Sequence, residues 1–517
     1  MTILANGPLP PCGSWRCCAV FVLLAGCAVP DPAVFDERLR AATFDHHAQA
    51  IALQLEASRA DCSEQRLHAA FRARALAAAT PAEFRAVLVD LLLSLQDPHA
   101  DFEPADQPWQ QVRLGSRTVL DDAQPEFAEV VRSDGSWWIA SRPPLATAST
   151  ELGPRLLASS GDAPVAPVWQ RLEAIDGRTF RSRNDAQLLL RGPLLRPVQA
   201  TVIGTQGERT TLELPRNALR TRSGPSLVMI VPPRQLAVWC DPELATVPAP
   251  RITVGAPELR DTFAQSRAAS FRGGTVVLPC SGFGAGRDLQ VWRDRSVGFL
   301  RLGSFALAGD LKVASRAIED AIAGLAGCDT LILDLLDNRG GSWDLMGFVA
   351  SYFLPAGMRL VPHRGEQRTR HDGWLVSTIE VLDARLVRAA VPELRPRQLF
   401  VLVDQWTVSA AEILAAVLRC KAGATLIGET TAGAETWIHE VAGPDGSRIT
   451  FGLPGGMCDG CEGFQGRGLR PDREVALASE SLHAVGLEKA RREHRRAVRS
   501  AAFAAAGLDP ELVLVPE

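Results

Sequence analysis

Lysine is scarce in this chain. Among its 55 basic residues only Lys312, Lys421 and Lys489 are lysines, so a catalytic lysine has few possible positions. The formal net charge of −4 provides no basic excess for binding nucleic acid. With 46% hydrophobic and 22% charged residues, the 517-residue chain has the composition of a globular protein, long enough for two to four domains.

Metal-ligand clusters are also lacking. Cys458-Asp-Gly-Cys461 could be a redox pair or half of a zinc site, but no second Cys-x-x-Cys accompanies it. A disulfide within this loop, or two free thiols, is the simpler interpretation. We therefore predict no metal and no cofactor.

The sequence has no apolar run long enough to span a membrane at its N-terminus, where Cys17 to Ala25 is short and follows Arg16. Leu24-Ala25-Gly26-Cys27 resembles a bacterial lipobox, which predicts a signal peptide over residues 1–27 and a lipid on Cys27. The mature chain would then be anchored in the cell envelope and face the periplasm. Ala28, where Asp would indicate inner-membrane retention, favours the outer membrane. The alternative is a soluble protein with a disordered start.

One stretch organises the rest of the chain. Leu399 to Val403 is a short apolar run typical of a strand buried on both faces, and Ser409 to Lys421 is typical of a helix that ends at Gly423. The helix start lies at the carboxyl edge of the sheet, where α/β folds bind ligands. Ser409-Ala-Ala-Glu412 fits a capping box, in which loss of Glu412 would cost about 1 kcal/mol. It equally fits a nucleophile whose neighbouring N–H groups face an oxyanion.

A second stretch also has an apolar strand that leads into a turn. The apolar run Thr330 to Asp334 leads into Asn338-Arg339-Gly340-Gly341, whose glycines allow N–H groups to face a bound group. Three ordered motifs result: Asp334-Leu-Leu-Asp-Asn338-Arg-Gly340-Gly341, Ser409-Ala-Ala-Glu412 and Gly428-Glu-Thr-Thr-Ala-Gly433. Together they resemble the signatures of the tail-specific (C-terminal processing) peptidase family, which includes the tricorn protease core and interphotoreceptor retinoid-binding protein. Leu336 departs from the usual Arg.

The resemblance implies an α/β fold: a crotonase/Clp-like catalytic core with an N-terminal helical bundle and a PDZ-like β domain. We expect the bundle at residues 28–105, the β domain at 106–220, an unassigned insertion at 221–295, the peptidase core at 296–478 and a charged C-terminal helix at 479–517. The β domain is indicated by Leu172-Glu-Ala-Ile-Asp176-Gly177, which resembles the turn of a PDZ module.

The resemblance also implies the site residues. Ser409 would be the nucleophile, and the N–H of Ala410 with that of Gly340 or Gly341 would bind the oxyanion. Tail-specific members use a lysine base, but the matching residue here is Ala434. Tricorn-like members use a histidine.

His99 matches that histidine, within Gln96-Asp97-Pro98-His99. Gln465 occupies the place of the family's glutamate and would orient the imidazole by a hydrogen bond. We thus expect a serine peptidase that acts on exported proteins or peptides. The alternatives are an inactive binding protein on the same fold, or an esterase that uses the same serine.

Overall fold

A computed structural model describes most of the sequence, with gaps. The described residues are 35–55, 68–104, 111–114, 117–120, 122–125, 128–141, 168–193, 196–214, 216–219, 275–277, 289–305, 311–354, 363–371, 374–382, 394–453 and 461–510. No helix within these ranges is long and apolar enough to cross a membrane. The predicted signal peptide with Cys27, most of residues 221–295 and Cys458 lie outside the described residues.

The first described residues form helices that pack together. They are α1 (Glu37–Leu55), a π-helical turn (His68–Arg72), α2 (Ala73–Ala77) and α3 (Pro81–Ser94). Helix α3 starts at Pro81, which needs no N–H partner at a first helical position, and the Thr80 hydroxyl accepts the N–H of Glu83 at 3.2 Å. Its end leads directly into the segment that carries His99.

An antiparallel five-stranded sheet follows. Its strands are β5 (Glu129–Ser133), β6 (Ser136–Ser141), β7 (Val168–Ile175), β8 (Val198–Ile203) and β9 (Arg209–Leu214), hydrogen-bonded in that order. Helix α4 (Arg183–Leu190) lies between β7 and β8 in the chain and begins with a capping box formed by Ser182 and Asp185. Short strands around this sheet are β1 (Asp101–Glu103), β2 (Gln111–Leu114), β3 (Arg117–Leu120), β4 (Ala123–Pro125) and β10 (Arg216–Leu219).

A seven-stranded sheet forms the core. In spatial order its strands are β11 (Thr275–Val277), β12 (Leu289–Asp294), β13 (Val297–Leu302), β14 (Thr330–Asp334), β17 (Gln398–Val403), β18 (Thr425–Gly428) and β21 (Arg473–Glu474). The strands from β13 to β21 are parallel, whereas β11 and β12 add antiparallel pairs. Strands β11 and β12 of this sheet thus lie before residue 296 in the chain.

Helices cover both faces of this sheet. Helices α5 (Leu311–Ala323), α6 (Trp343–Ala350) and α7 (Ala410–Ala422) pack on the face that carries Leu331, Leu333 and Val401. The opposite face carries Ile332 and Leu402 and packs on the C-terminal helix. All five residues of β14 are buried, as expected for a continuous apolar run between two helical layers.

The charged C-terminal helix is divided. One charged helix was predicted within residues 479–517, but α8 (Ser479–Val485) stops at Gly486 and α9 (Leu487–Ala505) starts after it. Gly486 has φ +75°, which glycine adopts without steric cost and which ends a right-handed helix. Nor is α9 simply a solvated helix, because Val498, Ala502 and Phe503 are fully buried against the sheet.

Two hairpins complete the described chain: β15 (His363–His371) with β16 (Trp374–Leu382), and β19 (Trp437–Ala442) with β20 (Arg448–Leu453). Strand β20 also pairs with β1, which brings the segment containing His99 to the core. A disulfide joins Cys420 at the end of α7 to Cys461, with Cα atoms 5.7 Å apart. A disulfide within Cys458-Asp-Gly-Cys461 was therefore the wrong pairing for Cys461.

Candidate active site

Ser409 lies at the turn between β17 and α7, in a backbone conformation that is costly for a residue with a side chain. Its φ of +56° and ψ of −123° fall outside the regions that L-residues normally occupy. Such a conformation costs on the order of 1–3 kcal/mol and persists only where the surroundings enforce it. Ser409 is partly exposed, whereas the residues that follow it in α7 are buried. A sharp turn thus presents one serine at the carboxyl edge of the sheet.

Gly340 lies directly against this serine. A Cβ atom on Gly340 would stand 2.9 Å from both the Cβ of Ser409 and the nitrogen of Ala410, and its φ is +81°. Any other residue would therefore collide with the nucleophile as well as strain the backbone. The glycine keeps open the space above Ser409 that a substrate carbonyl would need.

The three predicted oxyanion donors differ in their availability. The N–H of Gly340 donates to Oδ1 of Asn338 at 2.9 Å, so it is already used. Within the described residues, the N–H groups of Ala410 and Gly341 have no recorded acceptor. This leaves Ala410 and Gly341 as the pair that could bind an oxyanion.

Asn338 fixes the loop that carries these glycines. Its side-chain amide donates to the carbonyl of Leu302 at 2.8 Å, while its backbone carbonyl accepts the N–H of Val408 at 2.9 Å. Asn338 is fully buried. One residue therefore ties the glycine loop to strand β13 and to the residue that precedes the nucleophile.

Glu412 does more than cap helix α7. Its fully buried carboxylate accepts the N–H of Ser409 at 3.0 Å, the N–H of Gly433 at 2.6 Å, the N–H of Ala434 at 2.8 Å and the hydroxyl of Thr431. Burial raises the pKa of Glu412, although these four donors act in the opposite direction. The carboxylate thus holds the nucleophile and the 431–434 segment together.

Ala434 confirms that no lysine dyad is possible at that position. The residue is fully buried and only its backbone N–H faces Glu412. Lys421 lies at the other end of helix α7, roughly 18 Å from Ser409 at 1.5 Å per residue. Neither Ala434 nor Lys421 can therefore act as a base on Ser409.

His99 contacts the 431–436 segment, which Glu412 also contacts. Its Nδ1 lies 3.3 Å from the hydroxyl oxygen of Thr436, two residues after Ala434. Pro98, the preceding residue, lines one cavity together with Val408 and Ala432. The Nε2 atom of His99 is buried and has no hydrogen-bond partner among the described residues. One ring nitrogen is thus held by the protein while the other remains available.

Asp97, rather than Gln465, is the side chain that faces this imidazole together with Thr436. Its Oδ1 lies 3.6 Å from Nδ1 of His99 and accepts the His99 N–H at 3.0 Å. Gln465 does not contact His99 as the sequence suggested. Its amide nitrogen donates to Asp97 at 2.7 Å and its amide oxygen accepts the N–H of Glu435 at 2.7 Å. Gln465 therefore orients the carboxylate that faces the histidine.

The environment keeps Asp97 ionised. Burial alone would raise its pKa, but the hydrogen bond and charge of His99, together with the N–H of Gly452, lower the pKa below its usual range. A carboxylate next to Nδ1 holds an imidazole in one tautomer and stabilises the imidazolium that forms when Nε2 takes a proton. A carboxylate that this site seemed to lack is thus supplied from the residue two positions before His99.

Side chains of helix α9 hold the turn that precedes the glycine loop. Asp337, with φ +65°, pairs with Arg491 and with Arg495 of α9, the latter at 2.5 Å. Its N–H donates to the buried carboxylate of Asp404 at 3.1 Å. The turn just before the oxyanion loop is therefore fixed by side chains that come late in the sequence.

Sequence reasoning did not single out Asp97, Thr436 or the wider role of Glu412. Asp97 carried a usable signal, because it is in the same four-residue motif as His99. Thr436 carried none, since its contact to His99 joins residues 337 positions apart.

The part of the chain that carries Ser409 is similar to known proteins. Residues 296–475 match peptidase family S41. A segment of 187 residues, 36% of this chain, is 26% identical to the carboxy-terminal processing protease CtpA of Bacillus subtilis (strain 168). That segment spans 36% of the CtpA sequence, so the match covers about a third of the relative.

Solved structures show the same fold. The crystal structure of mature CPAF superimposes with a TM-score of 0.53 at 13% sequence identity, over 91% of this chain and 98% of CPAF. CPAF complexed with lactacystin gives a TM-score of 0.51 at 12% identity, over 89% of this chain and 98% of CPAF. Residues 296–475 of this α/β chain, with Ser409 at the start of α7, therefore match peptidase family S41, and part of the chain is similar to a carboxy-terminal processing protease.

Proposed function

We propose that this chain is a serine-type endopeptidase that cleaves proteins or peptides through an acyl-enzyme on Ser409. One observation carries the proposal: a strained serine and a histidine are both tied to the 431–436 segment, and within the described residues the Nε2 of that histidine has no hydrogen-bond partner. The match of residues 296–475 to a peptidase family supports the same reaction.

Each group has a role in this reaction. The Oγ of Ser409 forms a bond to the scissile carbonyl carbon as its proton passes to Nε2 of His99. The N–H groups of Ala410 and Gly341 bind the resulting oxyanion, a contribution of about 3 kcal/mol per donor in comparable enzymes. His99 then gives the proton to the leaving amine as the C–N bond breaks, and water, deprotonated by the same imidazole, hydrolyses the ester.

Asp97 and Gln465 act through His99. The carboxylate balances the imidazolium, and Gln465 restrains the carboxylate from its other side. This is a histidine-based arrangement in a chain that has Ala434 where related peptidases have lysine. The proposal therefore assigns the base to His99 and not to any of the three lysines.

A covalent probe tests the nucleophile and the base separately from the substrate. We expect a fluorophosphonate to label the wild type, to label His99→Ala at least a hundredfold more slowly, and not to label Ser409→Ala. His483→Ala is the matched histidine control because His483 is exposed on α8. Full labelling of His99→Ala would remove the histidine from the mechanism.

Turnover of peptides separates the remaining alternatives. Labelling together with cleavage of a casein or random peptide pool supports the peptidase. Labelling with turnover of esters alone supports an esterase. An unlabelled wild-type protein supports a binding protein on the same fold.

We further propose that the chain is a lipoprotein of a bacterial cell envelope, which would give it exported proteins as substrates. The proposal rests on Leu24-Ala25-Gly26-Cys27 after a short apolar run. Stable anchoring needs more than one acyl chain, and lipoprotein processing supplies these. We expect wild-type protein to incorporate radiolabelled palmitate and to sediment with membranes, and Cys27→Ser to lose both properties. Unchanged sedimentation of Cys27→Ser, without label in the wild type, contradicts it.

A further inference from the structure

The cavity next to Ser409 has a strongly cationic wall. Among the residues that line it, five are arginines and none is acidic: Arg132, Arg181, Arg183, Arg339 and Arg467. Its other walls include Val408, which precedes the nucleophile, and the rings of Trp137 and Trp406. Two of the arginines, Arg183 and Arg339, are partly buried, whereas the other three are exposed.

These two partly buried arginines lack the carboxylate partners that buried arginines have elsewhere in the fold. Arg191 pairs with Asp101 and Asp122, and Arg499 pairs with Asp334. By contrast, neither Arg183 nor Arg339 forms an ion pair with a carboxylate in the described parts of the chain.

Arg183 is nevertheless held in place. Its Nε donates to the carbonyl of Val130 at 3.0 Å, and its guanidinium lies 5.8 Å from the ring centre of Trp406. A guanidinium is planar and can bind a carboxylate through two parallel hydrogen bonds.

The positive charges in this wall repel one another. Burial, together with the charges of Arg339 and Arg491, lowers the pKa of Arg183 to about 9, against the attraction of Glu129 and Asp337. Burial likewise lowers the pKa of Arg339, against the attraction of Asp337. An arriving anion would relieve this repulsion and would bind where water screens its charge poorly.

The position of Arg339 connects the cavity to the reaction. Arg339 is the residue before Gly340, and Gly340 lies against the Cβ of Ser409. Thr431 and Ala432, from the segment held by Glu412, line the same cavity. An occupant would therefore be a part of the substrate close to the bond that Ser409 attacks.

We propose that this cavity binds the side-chain carboxylate of an acidic residue near the scissile bond, so that the enzyme prefers Asp or Glu there. The inference rests on the proposed peptidase function and names its substrate preference. Arg183 and Arg339 would be the specificity-determining residues.

The test uses a cleaved peptide in which Glu is scanned through three positions on each side of the scissile bond. Each Glu peptide is matched by a Gln peptide, and both are made with amidated and with free C-termini. At one position we expect kcat/KM to be at least tenfold higher for Glu than for Gln in the amidated pair, mainly through KM, with the ratio falling as salt rises.

Variants assign the preference to the cavity. Arg183→Gln should reduce the Glu/Gln ratio to threefold or less, and Arg183→Lys should restore most of it because the charge returns. Arg470→Gln is the control, since Arg470 is exposed and does not line the cavity; its ratio should equal that of the wild type.

Binding of the Glu and Gln peptides to the Ser409→Ala protein separates this inference from the catalytic one. Fluorescence anisotropy measures that binding. Tighter binding of the Glu peptide supports the cationic cavity even if no peptide is cleaved, in which case only the peptidase proposal fails. Cleavage with equal rates for Glu and Gln peptides overturns the inference and leaves the peptidase intact. If peptides with a free C-terminus are preferred over amidated ones and Glu has no effect, the inference is also overturned.

Discussion

Replacing Asp97 by Asn would test whether a charge beside His99 drives the reaction. The substitution keeps the size of the side chain and removes its negative charge. Two unit charges 3.6 Å apart, the separation of Nδ1 of His99 from the carboxylate, interact by about 5 kcal/mol at an effective dielectric constant of about 20. Because Asn retains a dipole and one acceptor, we expect a loss of about 4 kcal/mol in the transition state, which lowers kcat about 10³-fold.

The structure also predicts that the Asp97→Asn protein is less stable than the wild type. The Asn amide can no longer accept from both Gly452 and Gln465, so one of these donors loses its partner. This should cost about 1–3 kcal/mol in the free energy of unfolding. Urea denaturation would measure that cost, and single-turnover acylation would measure the chemical step on folded protein.

Asp472→Asn is the matched control for this experiment. Asp472 also accepts a backbone N–H, that of Leu426 at 2.8 Å, but it is exposed at the far end of the sheet. Its variant should keep the wild-type kcat. If Asp97→Asn retained kcat within threefold of the wild type while His99→Ala was inactive, the carboxylate would not stabilise the imidazolium and our reasoning would be refuted.

Three further predictions follow from the geometry around the site. Ser409→Gly should be about 1 kcal/mol more stable than Ser409→Ala in urea denaturation. Glycine relieves a strain of about 1–3 kcal/mol at φ +56°, but it loses more chain entropy on folding than alanine does. Equal stabilities of the two variants would mean that the turn is unstrained. Glu412→Ala should destabilise the fold by about 3 kcal/mol or more, since it leaves four donors without an acceptor. Loss of a simple helix cap would cost only ~1 kcal/mol. A loss near that smaller value in the same assay would mean that Glu412 only caps the helix. Burial, followed by the charge of Asp337, raises the pKa of Asp404 to about 6, so the folded state binds an extra proton between about pH 4 and 6. The contribution of Asp404 to stability should therefore fall by about 3 kcal/mol as pH rises through that window, and Asp404→Asn should remove this fall; an identical pH slope in the variant would contradict it.

Local features of the sequence predicted the framework of the site. The apolar run before Ser409, the helix that Gly423 ends and the Gly340-Gly341 turn each depend on backbone preferences that neighbouring residues express. For the same reason the break at Gly486 could have been predicted, because a glycine in a charged helical segment is a visible stop signal.

Contacts between distant residues could not be predicted in this way. Gln465 meets Asp97 across 368 positions, and Cys461 pairs with Cys420 rather than with its near neighbour in the chain. Which of two nearby polar residues faces an imidazole depends on how strands β1 and β20 align, and no local pattern encodes that register. The hydrogen-bond partner expected for Gln465 was therefore wrong, because Gln465 contacts Asp97 and not His99.

The support that α9 gives to the glycine loop has a consequence for the timing of activity during synthesis. The ribosome releases the turn with Ser409 before it releases Arg491 and Arg495, which hold Asp337 next to the oxyanion loop. A growing chain thus carries its nucleophile while the charge of Asp337 is still unpaired and the loop is unsupported. The turn before the glycine loop therefore lacks this support until Arg491 and Arg495 of α9 have been made and can pair with Asp337.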